Sequence, residues 1–285
     1  SILRRCHTFF EKYWQNVMRQ NVIRVPQGCP TVEKAMDLAV IFSERKEYTE
    51  AEPLKIRLEE GVHEIVGGQS WSDRGRMNVT CSHITFVGKG KDQTTIRGGF
   101  KVSNQQHVKF EELTLMNPHS RPFHRRGYGL QLRGSETTVD VSKCVFKECG
   151  SAGMYVHDGA CVKATQCEFM ENGYYGVSCE GVFTKARLND CTVHHNGSHG
   201  LQAHEHAVVQ LHGTKTDIHS NKQSGIRASD YAKINIHLPS QHNTTHDNVG
   251  FDRFQSDRGS IANINADGTF THVVAEEEEE EDDDY

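Results

Sequence analysis

The sequence predicts an all-β fold: a right-handed, single-stranded parallel β-helix with N-terminal capping helices and a disordered acidic C-terminal tail. Three observations predict it: a repeat of 23 to 25 residues, a glycine at one fixed place in every copy, and short alternating apolar stretches between turn residues. The first copy is Cys144-Val-Phe-Lys-Glu-Cys149-Gly-Ser-Ala-Gly153-Met-Tyr, followed by Cys167-Glu-Phe-Met-Glu-Asn172-Gly-Tyr-Tyr-Gly176-Val-Ser. The next two are Cys191-Thr-Val-His-His-Asn196-Gly-Ser-His-Gly200-Leu-Gln and Thr216-Asp-Ile-His-Ser-Asn221-Lys-Gln-Ser-Gly225-Ile-Arg. A degraded fifth copy is Gln241-His-Asn-Thr-Thr-His246-Asp-Asn-Val-Gly250-Phe-Asp. Successive copies start 23, 24, 25 and 25 residues apart, and the glycine falls nine residues after each start.

A unit of this size holds about three short strands and cannot bury its inner face alone; stacking coils about 4.8 Å apart buries it. Stacking predicts ladders. Cys144, Cys167 and Cys191 point inward, one above the other. Met154, Val177, Leu201, Ile226 and Phe251 form an apolar column. Asn172, Asn196 and Asn221 stack at a turn, bonding amide to amide along the axis. Gly and Asn mark turns that need positive φ.

The remaining elements follow in chain order. Residues 3–18 place Leu3, Cys6, Phe9, Phe10, Tyr13, Trp14, Val17 and Met18 at helical spacing, a lid over the open first coil. A second helix over 31–42 turns Val32, Ala35, Met36, Ala39 and Val40 inward. Residues 43–53 form a polar connection, and strands begin at Leu54-Lys-Ile-Arg-Leu58. The expected organisation is therefore 1–53 cap and connection, 54–270 β-helix, and 271–285 acidic tail. Residues 276–284 carry nine negative charges; without them the net charge of −6 becomes +3. Such a block repels itself and solvates, or serves as a docking or autoinhibitory strand for a basic surface.

A weakly basic body without a reading motif speaks against a nucleic-acid partner. No run of about 18 apolar residues speaks against a membrane partner. Nine cysteines, three of them stacked as interior thiols, predict a reducing and hence intracellular compartment. The first six residues lack the apolar stretch of a secretory signal. No initiator Met is present, as in a chain trimmed or excised from a longer one.

Residues 22–117 resemble the opening of pectin methylesterases and other pectate-lyase-like β-helices. The resemblance is carried by Cys29-Pro-Thr-Val-Glu-Lys-Ala-Met-Asp-Leu-Ala39, Leu54-Lys-Ile-Arg-Leu-Glu-Glu-Gly61-Val-His-Glu, Ile84-Thr-Phe-Val-Gly-Lys-Gly90, Thr94-Thr-Ile-Arg-Gly98 and Val108 to Asn117. Residues 144–254 resemble the Asn-Gly-rich carbohydrate-binding and sugar-hydrolase repeats that also occur in F-box adaptor proteins. The resemblance implies the fold strongly and an activity weakly, because such folds host many functions. Pectin methylesterases use paired aspartates; the matching stretches Gly150-Ser-Ala-Gly-Met-Tyr155 and Gly173-Tyr-Tyr-Gly-Val carry none, which disfavours that chemistry. The Asp-Pro-His core of mannuronan epimerases is absent, as is the carboxylate cluster that holds calcium in pectate lyases. No cofactor is therefore expected, and calcium is not indicated.

In this family the outward face beside the Met154 column carries the polysaccharide groove. Its row here reads Gln131 and Arg133, Tyr155 and His157, Ser178 and Glu180, Gln202 and His204, Arg227 and Ser229, with Asp158, Glu205 and Asp230 just beyond. Tyr155, His157 and His204 are the candidate acids or bases; Arg133 and Arg227 are placed to neutralise a carboxylate, with Glu180 and Gln202 as further ligand contacts. An insertion, Pro118-His-Ser-Arg-Pro-Phe-His-Arg-Arg-Gly-Tyr128, brings Arg121, Arg125 and Arg126, suited to an anionic sugar, a phosphate or an acidic peptide. His194, His195, His204, His206, His212 and His219 make a His-rich stretch in which His194 and His219 share a repeat position and His204 and His206 a strand face; no metal site is assigned, for want of a third ligand. Two functions follow. One is a binding or adaptor β-helix presenting this groove and basic loop to an acidic polysaccharide or a protein. The other is a lyase or epimerase acting on an acidic polysaccharide.

Overall fold

The computed structural model describes residues 13–67, 75–118, 127–237 and 244–272. The N-terminal part of the expected lid (Leu3, Cys6, Phe9, Phe10) and the acidic residues 276–284 lie outside these. So do Arg121, Arg125 and Arg126 of the insertion.

The chain winds as a parallel β-helix with three faces. Each full turn contributes one strand to each face, and strands pair with the equivalents one coil before and after. Among the described residues face 1 holds eight strands, from Arg76–Val79 to Arg253–Gln255; face 2 holds eleven, from Val22–Val25 to Phe270–His272; face 3 holds eight, from Gly61–Glu64 to Thr245–His246. Among the described residues all pairings are parallel except the last, where Phe270–His272 folds back antiparallel on Ser260–Ile264 and covers its edge.

The inner side is a thin stack of apolar layers, one per coil. Leu130, Met154, Val177, Leu201 and Ile226 stand in register along face 1, each fully buried. Phe86 stacks on Phe110 at 5.0 Å and Phe146 on Phe169 at 4.8 Å between ring centroids. Cys144, Cys167 and Cys191 are buried at the corner between faces 2 and 3, their thiols pointing at backbone carbonyls of the coil before. Burial pushes the Cys144, Cys149 and Cys179 thiols up to about 12. The eight described cysteines are all free thiols.

The asparagine ladder is present and one rung longer than expected. Asn172 Nδ2 donates to Asn196 Oδ1 at 2.9 Å, Asn196 Nδ2 to Asn221 Oδ1 at 2.9 Å, and Asn221 Nδ2 to Asn248 Oδ1 at 2.9 Å. The added rung is Asn248, not His246, so the fifth copy is shifted by two residues. Accordingly Arg253, not Phe251, pairs with Ile226, and Phe251 stands outside the apolar column.

The turns also differ in their chemistry. Gly153, Gly176, Gly200 and Gly225 do not adopt positive φ. They are glycine because a Cβ would strike the next coil: at Gly176 it would stand 2.3 Å from Val193 Cγ1 and 2.7 Å from the Gly200 carbonyl oxygen. The left-handed corners fall instead on Lys143, Gln166 and Asp190 between faces 2 and 3, and on Glu148, Glu171, His195, Ser220 and Asp247 between faces 3 and 1. Each left-handed non-glycine residue costs about 1 kcal/mol, so these sharp corners are held by the ladder pairing on either side.

At the N-terminal end, helix α1 (residues 13–20) and helix α2 (Val32–Ser43) cover the first coil. Thr31 caps α2, accepting from the Lys34 N–H at 3.2 Å. Its buried side is Val32, Ala35, Met36, Ala39 and Phe42; Val40 is only half-buried because it sits on the flank. Trp14 of α1 packs on Phe42 with ring centroids 4.4 Å apart, and Val17 is fully covered. No helix among the described residues is long and apolar enough to cross a membrane.

Candidate functional site

Strand alternation turns every second side chain of face 1 outward, and parallel pairing sets those side chains in rows across the coils. One row runs Asn78, Lys101, Gln131, Tyr155, Ser178, Gln202, Arg227, Phe254; its neighbour runs Ser103, Arg133, His157, Glu180, His204. The expected candidates Arg133, Tyr155, His157, Glu180, Gln202, His204 and Arg227 are thus all brought onto one face. Ser178 and Ser229 also belong to it but are buried beneath their neighbours.

Most of these groups are paired with one another across coils. Tyr155 Oη donates to Glu180 Oε2 at 2.6 Å, and burial together with that carboxylate pushes the phenol well above the ordinary tyrosine range. Tyr155 stacks between Tyr128, at 5.0 Å, and His157, at 4.5 Å. Arg76 donates through Nη1 to Gln131 Oε1, and Gln131 Nε2 stands 3.0 Å from His157 Nε2. An amide N–H can only donate, so His157 Nε2 accepts and the ring proton lies on Nδ1, which faces Asp158 Oδ2 at 3.4 Å. Arg133 Nε donates to the same Asp158 oxygen at 2.7 Å. Burial lowers the His157 pKa despite Asp158. For Asp158 the balance is reversed: slight burial raises it, but Arg133 and His157 outweigh that and hold the carboxyl below its usual range. At the next coils His204 Nδ1 lies 2.9 Å from Asp230 Oδ2 and 3.0 Å from Ser229 Oγ.

The unpaired groups are cationic or amide. Lys101 and Arg227 have no carboxylate partner among the described residues, and Gln202 Oε1 and Arg227 Nε are buried without a partner. Three contributors escape a reading based on the later repeats: Arg76 and Lys101, which lie in coils before the recognised copies, and His199, one residue before the Gly200 position. His199 is buried, and its Nδ1 accepts from the Ser224 N–H at 3.1 Å.

The other histidines form a separate feature. His194, His219 and His246 stack along the outside of face 3, with centroids 5.1 and 5.3 Å apart. His206 does not share a strand face with His204. It sits past the strand end in a left-handed turn, φ 66°, and stacks on Tyr231. Among the described residues no three metal-binding side chains converge as a metal site requires. A broader concavity of ≈ 470 Å³ lies on face 2 beside Cys161, Lys163 and Arg187. Its lining holds no Tyr, Phe or Trp, and its carboxylates Glu50 and Asp140 are taken up by Lys109 and His107, so face 1, with its aromatic rings and free cations, is the better candidate.

The described wrap matches the model for a "Right handed beta helix region" over residues 66–237. The chain belongs to this family. Among solved structures, the mannuronan C-5 epimerase AlgE6 A-module of Azotobacter vinelandii superposes with a TM-score of 0.55 at 13% identity, covering 79% of this chain and 67% of that one. The Agl-KA catalytic domain superposes with a TM-score of 0.51 at 14% identity, covering 85% of this chain and 46% of that one. The β-helix chain thus spans under half of the latter. At such identities the likeness is one of fold. No curated protein sequence matches.

Proposed function

We propose that face 1 of this β-helix is a binding face for an extended acidic polysaccharide, held without being cleaved or epimerised. The observation that carries this reading is the division of labour on the face: its acids are engaged by its own Tyr, His and Arg side chains, while Lys101 and Arg227 are left without carboxylate partners. Seven steps of about 4.8 Å separate the row's ends at Asn78 and Phe254, a length of about 34 Å suited to a chain rather than a small molecule. The same pairing argues against turnover. A general base needs a free lone pair near the acidic C–H, and that of His157 is occupied by Gln131 while Tyr155 stays protonated.

One observation favours the second reading, a lyase or epimerase. Tyr155 and His157 stand side by side, 4.5 Å apart, where an acid and a base on one sugar would be placed. That chemistry requires Gln131 to release His157 when substrate binds.

Calorimetry against pectate, alginate and glycosaminoglycans, with ultraviolet detection of unsaturated product, separates the two. The binding reading expects saturable, salt-weakened binding, unchanged by a chelator and without product. Product formation lost in His157→Ala establishes the enzyme. Silence on every glycan overturns both and turns attention to a protein partner.

A further inference from the structure

The cleft at the C-terminal end of face 1, ≈ 400 Å³, is walled by His199, Arg227, Phe251 and Phe254. Its polar groups are matched in the wrong sense for one another. His199 is 6% exposed and its Nδ1 accepts the Ser224 amide proton. An imidazole nitrogen that accepts carries no proton, so the ring's proton is on Nε2. That Nε2–H faces Arg227 Nη1 at 3.4 Å. Both atoms are donors, and neither satisfies the other. The opposite tautomer only moves the conflict, since Nδ1–H would then face the Ser224 N–H. Protonating the ring does not help either, and burial with the Arg227 charge holds its pKa down at about 4.

Two converging donors in a half-open cleft, one of them on a buried ring, call for an oxygen acceptor between them. Arg227 sharpens the demand: its Nε is also without a partner, and its guanidinium rests 5.5 Å from the centre of the Phe254 ring instead of on an acid. Phe251 and Phe254, stacked at 5.3 Å, supply an apolar wall. Donors for an anion and an aromatic wall for C–H groups are the complement of a uronic acid ring.

We propose that His199 and Arg227 form a carboxylate subsite of the glycan face. One uronate carboxylate accepts from His199 Nε2 and Arg227 Nη1, and the sugar's C–H face lies against the aromatic wall. The inference rests on the acidic-glycan reading above and assigns the group recognised at one end of it.

The test is an NMR titration of the full chain, following the His199 Nε2–H and Arg227 Nε–H resonances, with calorimetry alongside. The probes are an oligogalacturonate, its carboxyl-reduced neutral counterpart of equal length, and poly-glutamate. The oligogalacturonate is expected to shift both resonances and to bind at least about tenfold more tightly than the neutral oligomer, as loss of a charge-assisted pair implies. Arg227→Gln is expected to remove that advantage, bringing the affinity for the oligogalacturonate down to that for the neutral oligomer. Arg227→Lys, which keeps the charge without the fork, falls between. An unchanged thermal midpoint in either variant shows that the fold is intact. If oligogalacturonate binds but Arg227→Gln binds it as well as the parent does, the subsite is wrong and the glycan face stands. If neither glycan binds, the face itself is wrong and the subsite falls with it. Poly-glutamate binding in preference to the uronate, with the same shifts, overturns the uronate assignment.

Discussion

Replacing Asn196 by Ala removes one rung from the middle of the ladder, and the cost can be worked out bond by bond. Asn196 Oδ1 accepts from the Asn172 backbone N–H at 3.2 Å and from Asn172 Nδ2 at 2.9 Å. Its Nδ2 donates to the Phe169 carbonyl at 3.1 Å and to Asn221 Oδ1 at 2.9 Å. The residue is fully buried, so water does not replace it readily. Four bonds at about 1 kcal/mol net each, two of them leaving a buried donor stranded, give a loss of about 4 kcal/mol. Asn196→Asp is expected to be worse than Ala despite its shape. It puts an oxygen where Nδ2 donated, against two acceptors, and buries a charge. Urea unfolding measures both, and amide exchange at Asn172 reports the local rung even if the coils do not unfold as one unit. A loss below about 1 kcal/mol for Ala, or an Asp variant as stable as the parent, would refute the view that this ladder holds the corners.

Gly176→Ala drives a Cβ into backbone and side chain of the next coil and is expected to lower stability by about 1–3 kcal/mol in the same urea experiment. With a thiol reagent at pH 8, Cys161, which points out of face 2, is expected to label first among the described cysteines, while Cys144, Cys149 and Cys179, raised to about 12, label only on unfolding. Peptide mapping by mass spectrometry reads the order. Buried His199 and half-buried His212 are both held down at about 4, so between the unfolded value near 6.5 and pH 4 the unfolded chain binds protons that the native chain does not. Stability is therefore present above pH 6.5 and lost as pH falls toward 4, with a shallower slope expected in His199→Gln by chemical denaturation across that range.

The ladders were legible because parallel stacking converts sequence period directly into contact. Cys144, Cys167 and Cys191, and Asn172 with Asn196 and Asn221, share a spacing and share a place. The fifth copy misleads for the same reason. Gly250 keeps the nine-residue offset, yet the coil from Ile226 to Arg253 has two residues more than its predecessor, and Asn248 takes the rung. Glycine was legible as a constraint but not as to kind, since close approach and positive φ leave the same residue in a sequence. For the site, alternation sufficed to place Tyr155, His157 and Arg227 on one face. Which of them were free was not legible. That depends on contacts one coil away, such as Glu180 beneath Tyr155 and Gln131 beside His157. His199 carried only one signal, an imidazole at a position that is Ala152, Tyr175 and Ser224 in neighbouring copies.

The central claim is that an acidic glycan lies along face 1. Hydrogen–deuterium exchange of the chain with and without an oligogalacturonate tests it most directly. Slowed exchange is expected in the strands Leu130–Arg133, Met154–His157, Val177–Glu180 and Leu201–His204 and in the turns that follow them, with faces 2 and 3 unchanged. Protection confined to face 2 around Lys163 and Arg187, or to no face at all, would contradict it.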